Sequence, residues 1–375
     1  MIRSRYALDI VCHGLRPDGP TLTDVTNQAW REAIAIANEH LVAPALYAAL
    51  AGAGRLDELP SDVRDYLGLL HHGNTARNDS MRQQALELLG ALADAGIDAL
   101  LLKGGATLFL DGEAEQSGRM FRDLDVLVPW HAADQVFAVL ETLGYGAIAR
   151  YPAGHHAYGD FARPGDPAAV DLHFELIDTP HVLPARDVWR RATAITAQGT
   201  RFFVPSPTDR VLHNVLHAQV HFLGNYYRGI FELRQLNEFA MFARRESAPA
   251  IDWITMADTL SRQRLRAPLY AYALLAHRLL GAPWTLPEPA PAAAQRHVRY
   301  CLLQHCVPAL GHLRTPVANI RSAFAPHRMD ELYGHGDPLM RQRLHHAARF
   351  MRKGGAGDWI ARLLRSEAHP RGWRR

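Results

Sequence analysis

Asp123 and Asp125, separated by one leucine, open an apolar run over residues 123–128 that reads as a strand. Alternation puts Leu124, Val126 and Val128 on one face and both aspartates on the other. Strand residues two apart have Cα atoms roughly 6–7 Å apart, close enough for the two carboxylates to share divalent cations. Without a cation between them such acids repel. Residues 170–176 repeat the alternation, with Asp171, His173 and Glu175 on one face and Leu172, Phe174 and Leu176 on the other. Asp171 is the natural third ligand, and Glu175 on the same face is able to substitute or contribute. His173 is a candidate general base, because imidazole titrates near working pH. Ahead of these, Gly104 and Gly105 lie between a short buried strand, residues 98–102, and an apolar helix ending near Leu110. Glycines in that position let backbone N–H groups approach an anion, and the helix dipole adds attraction. Three acids, two hard cations and a phosphate cradle suit phosphoryl or nucleotidyl transfer: one metal lowers the pKa of an acceptor hydroxyl, and both stabilise charge on the α-phosphate and leaving pyrophosphate.

Several neighbours carry weaker signals. Lys103, one of two lysines in a chain that otherwise uses arginine, can reach a triphosphate or extend to solvent. Arg122 precedes the acid pair and suits either an ion pair with those acids or a phosphate contact. His155 and His156 stand at the start of a strand, residues 156–161. His213, His217 and His221 recur every four residues on one helix, a spacing compatible with a metal. No acid motif accompanies them, so the reading is a packed or phosphate-facing helix. Cys301, His305 and Cys306 read as core packing.

The elements that must position these residues form a consistent order. Residues 24–95 are helical, with Met81, Ala85, Leu88 and Leu92 on one face before Gly96 closes the helix. Residues 111–118 are polar and turn-rich. A helix then runs to Gly144, and the strands 156–161 and 170–176 form a hairpin through the turn at 163–167. Ser206, Pro207 and Asp209 make a strong helix start, and everything after them reads as helical, with a connector at 283–294. Lys353-Gly354-Gly355 reads as a hinge, and the arginine-rich segment 341–375 as an amphipathic docking helix. The expectation is an α+β protein: an N-terminal helical region over 1–85, a mixed sheet with flanking helices over 86–205, and a C-terminal helical domain over 206–375.

Leu102-Lys103-Gly104-Gly105, Arg122-Asp123-Leu124-Asp125 and Val170-Asp171-Leu172-His173 resemble the glycine turn, paired acids and third acid of the DNA polymerase β-like nucleotidyltransferase superfamily. Over residues 85–240 the progression is similar to the family catalogued as uncharacterised nucleotidyltransferases. The resemblance implies a nucleotidyltransferase-like sheet and a transferase dependent on Mg²⁺ (or Mn²⁺). Its metal ligands are Asp123, Asp125 and Asp171, and a nucleoside triphosphate (ATP among them) is donor substrate, held by Lys103, Gly104, Gly105 and Arg122. Gly105 stands where many superfamily members carry serine, which leaves phosphate binding to backbone groups. The transferred group goes to a hydroxyl or phosphate of an unknown acceptor, a peptide or small molecule being favoured. Two alternatives stand beside this: a tailoring enzyme that modifies a peptide or phosphopeptide with a nucleotide-activated donor, and an inactive nucleotide-binding regulatory module.

Composition sets the outer bounds. The chain has 375 residues, 48% apolar and 21% charged, which excludes disordered and collagen-like classes. Cys12, Cys301 and Cys306 make neither a disulfide framework nor a zinc ribbon and suit a reducing cytoplasm. The most apolar stretch, 267–280, is interrupted by His277 and Arg278, so no membrane span is expected. A formal charge of +3 over this length does not by itself argue for nucleic acid, which stays open as an acceptor; oligomeric state is not legible.

Overall fold

The computed structural model describes residues 3–353 apart from 111, 113–117, 153–154, 222–223, 245–250 and 335. Its centre is a seven-stranded mixed sheet in the order β3-β4-β5-β2-β1-β7-β6. The strands are β1 (Leu100–Leu101), β2 (Asp123–Leu127), β3 (Gly146–Arg150), β4 (Ala157–Ala162), β5 (Ala169–His173), β6 (Thr193–Ala197) and β7 (Thr200–Val204). β2 pairs in parallel with β5, and β1 with β7; the remaining pairs are antiparallel. The two acid-bearing strands are therefore neighbours in the middle of the sheet, each covered on both faces.

The two faces bury different partners. Leu124, Val126, Val170, Leu172 and Phe202 pack in one core with Met81, Ala85, Leu88 and Leu92, the apolar stripe of the helix Ser61–Asp94. On the opposite face Leu100, Leu102, Leu127 and Leu176 join a second core. That core also takes in the N-terminal helices Arg5–Gly14, Asn27–Glu39 and Ala43–Gly52 and the C-terminal helices Pro207–Gln219, Leu233–Arg244 and Arg266–Leu280. Residues from both ends of the chain thus close over one sheet face. The helix Ser61–Asp94 runs unbroken through residues 85 and 86.

The helix start at Ser206 is as expected: Ser206 Oγ accepts from Asp209 N at 3.2 Å, and Pro207 is the first helical residue. Asp209 is buried, and Arg191 donates to both its oxygens at 2.9 and 2.7 Å, which ties β6 and the preceding helix Ala185–Arg191 to this helix. The hairpin joining β4 to β5 through residues 163–167 is also present.

Other expectations need correction. Gly104 and Gly105 do not form a turn; they lie buried in the first turn of the helix Lys103–Leu110, and the left-handed residue is Lys103 (φ 43°). Gly104 is small for packing, because a Cβ there would stand 2.4 Å from Phe121 Cδ1. β5 ends at His173, where the N–H groups of Phe174 and Glu175 both turn to His156 O. Strands β3, β6 and β7 were absent from the sequence reading. β3 is an exposed edge strand without apolar alternation. The β6–β7 pair turns at Gln198 and Gly199, both at positive φ, a two-residue hairpin signal. The hinge reading at Lys353-Gly354-Gly355 and the segment after 353 lie outside the described residues, as do residues 113–117 of the polar turn; residues 339–353 are helical.

Candidate metal centre

Register places the acids. In the parallel β2–β5 pair Asp125 stands opposite Asp171, and Leu127 opposite His173. Adjacent strands lie about 4.8 Å apart and side chains alternate, so Asp125, Asp171 and His173 share one face. Among the described residues, one donor atom from each of these three lies within 4.8 Å of the others. His173 Nε2 is 2.9 Å from Asp171 Oδ2 and 3.2 Å from Asp125 Oδ1, and its Nδ1 is 3.2 Å from Glu175 O. Lys103 Nζ donates to the same Asp125 oxygen at 2.5 Å. Asp171 Oδ1 is buried and accepts no hydrogen bond among the described residues.

This donor set fits a divalent cation. Two carboxylates and an imidazole converge at ligating distance, one buried carboxylate oxygen has no other partner, and protons of His173 and Lys103 occupy the space between the acids. Asp123, at the beginning of β2, is half-buried and stands outside the 4.8 Å group.

The charges respond to this crowding. Burial, then the negative charge of Asp125, push the Asp123 carboxyl up to about 6. Burial also opposes ionisation of Asp125, but Lys103 and His173 prevail and hold it far below the carboxylate range. Burial disfavours charge on His173, yet Asp171 and Asp125 raise it to about 9. Its two ring nitrogens both face acceptors, which suits the imidazolium.

Five histidines continue from His173 as a run of ring contacts. His156 lies with centroids 5.3 Å from His173, 4.2 Å from His155 and 4.9 Å from His221, and His217 lies 4.9 Å from His221. His213 follows, 6.2 Å from His217. Burial first, and then neighbouring cations, push His156 down to about 2 and His213 and His217 well below the ordinary range. His221 is also lowered by burial, although Asp178 accepts from its Nδ1 at 2.9 Å. Beside one cationic imidazole, therefore, stand the rings of His156, His213, His217 and His221, in which burial disfavours charge. Of the three histidines expected on one helix, His213 and His217 lie on the helix Pro207–Gln219, whereas His221 falls two residues past its end, so the four-residue spacing is not carried by one helix.

The sequence-selected residues fall into four groups. Asp125, Asp171 and His173 come together, with Lys103 on Asp125 rather than in solvent. Gly104 and Gly105 begin a helix whose first-turn N–H groups have no intrahelical acceptors. Arg122 is exposed and makes no ion pair among the described residues. Glu175 leaves the face altogether: its Oε2 accepts from Ala185 N at 2.8 Å, at the start of the helix Ala185–Arg191. It does not substitute for Asp171, because the strand ends two residues too soon. Sequence reasoning missed Arg234, which lies near Asp123, and Arg119, which pairs with Glu238, both through contacts between distant segments that no local motif signals.

The family described as uncharacterised nucleotidyltransferase matches residues 26–281, more than half of the chain, and the chain belongs to that family. No curated protein and no solved structure matches it.

Proposed function

We propose that this member of the family transfers a nucleotidyl group from a nucleoside triphosphate to a hydroxyl or phosphate of an acceptor, using Mg²⁺ or Mn²⁺. The observation that carries this reading is the convergence of Asp125, Asp171 and His173 donor atoms within 4.8 Å at the centre of the sheet. Asp125 and Asp171 hold the cation, with Asp123 completing the set from the edge of the group. A bound divalent cation supplies Lewis-acid charge at the α-phosphate and lowers the pKa of an acceptor hydroxyl. Asp171, whose Oδ1 accepts no hydrogen bond among the described residues, would orient the acceptor hydroxyl. His173, fixed by both carboxylates and Glu175 O, holds or releases a proton at Nε2 as the centre fills. Lys103, which donates to Asp125, would offer its ammonium to the departing pyrophosphate. First-turn N–H groups of Gly104 and Gly105, and the Arg122 guanidinium, bind the triphosphate. The cytoplasm, with its nucleotide and Mg²⁺ supply, is the setting that suits this chemistry; among the described residues no single helix is long and apolar enough to cross a membrane.

Incubation with each of four α-labelled NTPs, Mn²⁺ or Mg²⁺ and cell extract tests the proposal. Label should pass from one NTP to an acceptor with release of pyrophosphate, and Asp123→Asn and Asp171→Asn should stop it. Label on a peptide would assign peptide tailoring. Pyrophosphate release unchanged in both variants removes the reading.

A further inference from the structure

Four guanidinium groups gather at the Asp123 end of the site. Arg119 and Arg122 flank Phe121 on the segment entering β2, Arg234 belongs to the first turn of the helix Leu233–Arg244, and Arg77 to the helix Ser61–Asp94. Three of them hold the segment. Arg77 donates to Phe121 O at 2.5 Å and Pro167 O at 3.0 Å, Arg234 Nη1 donates to Met120 O at 3.1 Å, and Arg119 Nη1 pairs with Glu238 Oε2 at 2.5 Å.

They differ in what is left over. Arg77 serves two backbone carbonyls, whereas Arg234 spends one of its five N–H donors on the protein, as far as the described residues go. It is nonetheless largely buried, with Arg119, Glu232, Arg122 and Asp123 as its nearest charges. Arg119 Nε is buried without an acceptor and would stand 3.2 Å from a Cβ placed on Gly104, so it lies against the first turn of the helix Lys103–Leu110. Arg122 adds an exposed guanidinium with no ion pair among the described residues. Glu238, Glu232 and Asp123 stand against these four guanidiniums, which leaves an excess of positive charge that an anion would complete. The nearby helix N-terminus prefers the same kind of ligand.

We propose that Arg119, Arg122 and Arg234, with the first turn of the helix Lys103–Leu110, bind the triphosphate tail of the donor nucleotide, Arg234 being its principal anchor. This assignment rests on the nucleotidyl-transfer reading, because it names where that reaction's donor is gripped. It also gives the C-terminal helices a direct part in the site: the residue that seals the phosphates comes from residues 233–244, not from the sheet.

Titration calorimetry with inorganic tripolyphosphate, and with a non-hydrolysable α,β-methylene NTP plus Mn²⁺, tests it. Arg234→Met should weaken both by about 10–100-fold, the loss of one charge-assisted donor group, and leave binding of the matching nucleoside unchanged. Its thermal midpoint should fall only by what the single hydrogen bond to Met120 O accounts for, since an apolar chain of similar length fills the same space; a purely structural arginine would lose stability and leave ligand affinity, measured well below the midpoint, unchanged. Arg122→Gln, at an exposed position, should weaken both ligands several-fold with no folding question. NTP binding indifferent to both substitutions overturns this assignment alone. Tripolyphosphate binding that depends on the arginines, with no NTP binding by the unmodified chain, overturns the nucleotidyl-transfer reading and the donor assignment with it.

Discussion

Exchanging Asp125 for asparagine removes the one carboxylate that faces both Lys103 Nζ, at 2.5 Å, and His173 Nε2, at 3.2 Å. Lys103 then keeps its charge at a site where Asp125 is 2% exposed and no second carboxylate is in hydrogen-bond contact with it among the described residues. With an effective dielectric of about 20, unit charges at this separation attract by roughly 7 kcal/mol, and desolvation of both groups offsets part of that. Loss of a single partner from a fully buried pair costs about 3–5 kcal/mol, and the low end applies here because Lys103 is 21% exposed and Asp123 and Asp171 still attract it. Asp125→Asn should therefore destabilise the ligand-free chain by about that amount, measured from the midpoint and slope of urea unfolding. Lys103→Met in the same chain should restore most of the loss, since both halves of the pair are then gone. A loss under about 1 kcal/mol for Asp125→Asn, or no recovery in the double variant, would refute the claim that this ion pair is a buried, dry one. The consequence for activity assays is direct. Lost turnover in Asp125→Asn mixes a missing ligand with a weakened fold, so Asp123 and Asp171 are the cleaner probes.

Three further outcomes follow from the geometry. His173 carries a proton below about pH 9 because Asp171 and Asp125 outweigh its burial, so if it ligates, Mn²⁺ affinity should rise about tenfold per pH unit from 6.5 to 8.5 with one proton released. The same raised pKa means the metal-free chain has this contribution to stability in full below about pH 6.5 and loses it as pH climbs through 9; calorimetry in buffers of different ionisation enthalpy and unfolding at several pH values read both. A flat affinity profile would show that metal binding releases no proton from His173, and a flat stability profile that its pKa is not raised by folding. An imidazole in the donor set should make Mn²⁺ bind more tightly than Mg²⁺, and Asp171→Asn should weaken Mn²⁺ by more than the roughly 10–100-fold typical of a supporting residue, as titration monitored by electron paramagnetic resonance would show; equal Mn²⁺ affinity with and without Asp171 contradicts its role. Gly104→Ala forces a Cβ to within 2.4 Å of the Phe121 ring, and overpacking of that kind costs about 1–3 kcal/mol in thermal or urea unfolding; an unchanged midpoint would mean that the Phe121 side chain yields freely.

The acids were legible because strand alternation is a local rule: once residues 123–128 and 170–173 are extended, Leu124 and Val126 must oppose Asp125, and Leu172 must oppose Asp171 and His173. The helix start at Ser206 was legible for the same reason, since capping needs only residues within one turn. Glu175 shows where that rule stops. Alternation continued on paper past His173, but the chain bends to satisfy His156 O and the carboxylate becomes a helix anchor. The glycines show another limit: their smallness was plain, but only Phe121, packed from across a loop, reveals why it is needed.

What the amino-acid order determined by itself was therefore the type and facing of the chemical groups: paired acids, a third acid with a histidine beside it, and a small-residue helix start. Only the tertiary structure decided which of them meet. The parallel register that sets Asp125 against Asp171, the lysine that neutralises them, the six histidines in line and the guanidinium of Arg234 all arise from contacts between segments tens to more than a hundred residues apart. Such contacts are set by burial of two separate cores against one sheet. No short-range pattern encodes that, because the free energy that fixes it is shared among side chains from both ends of the chain.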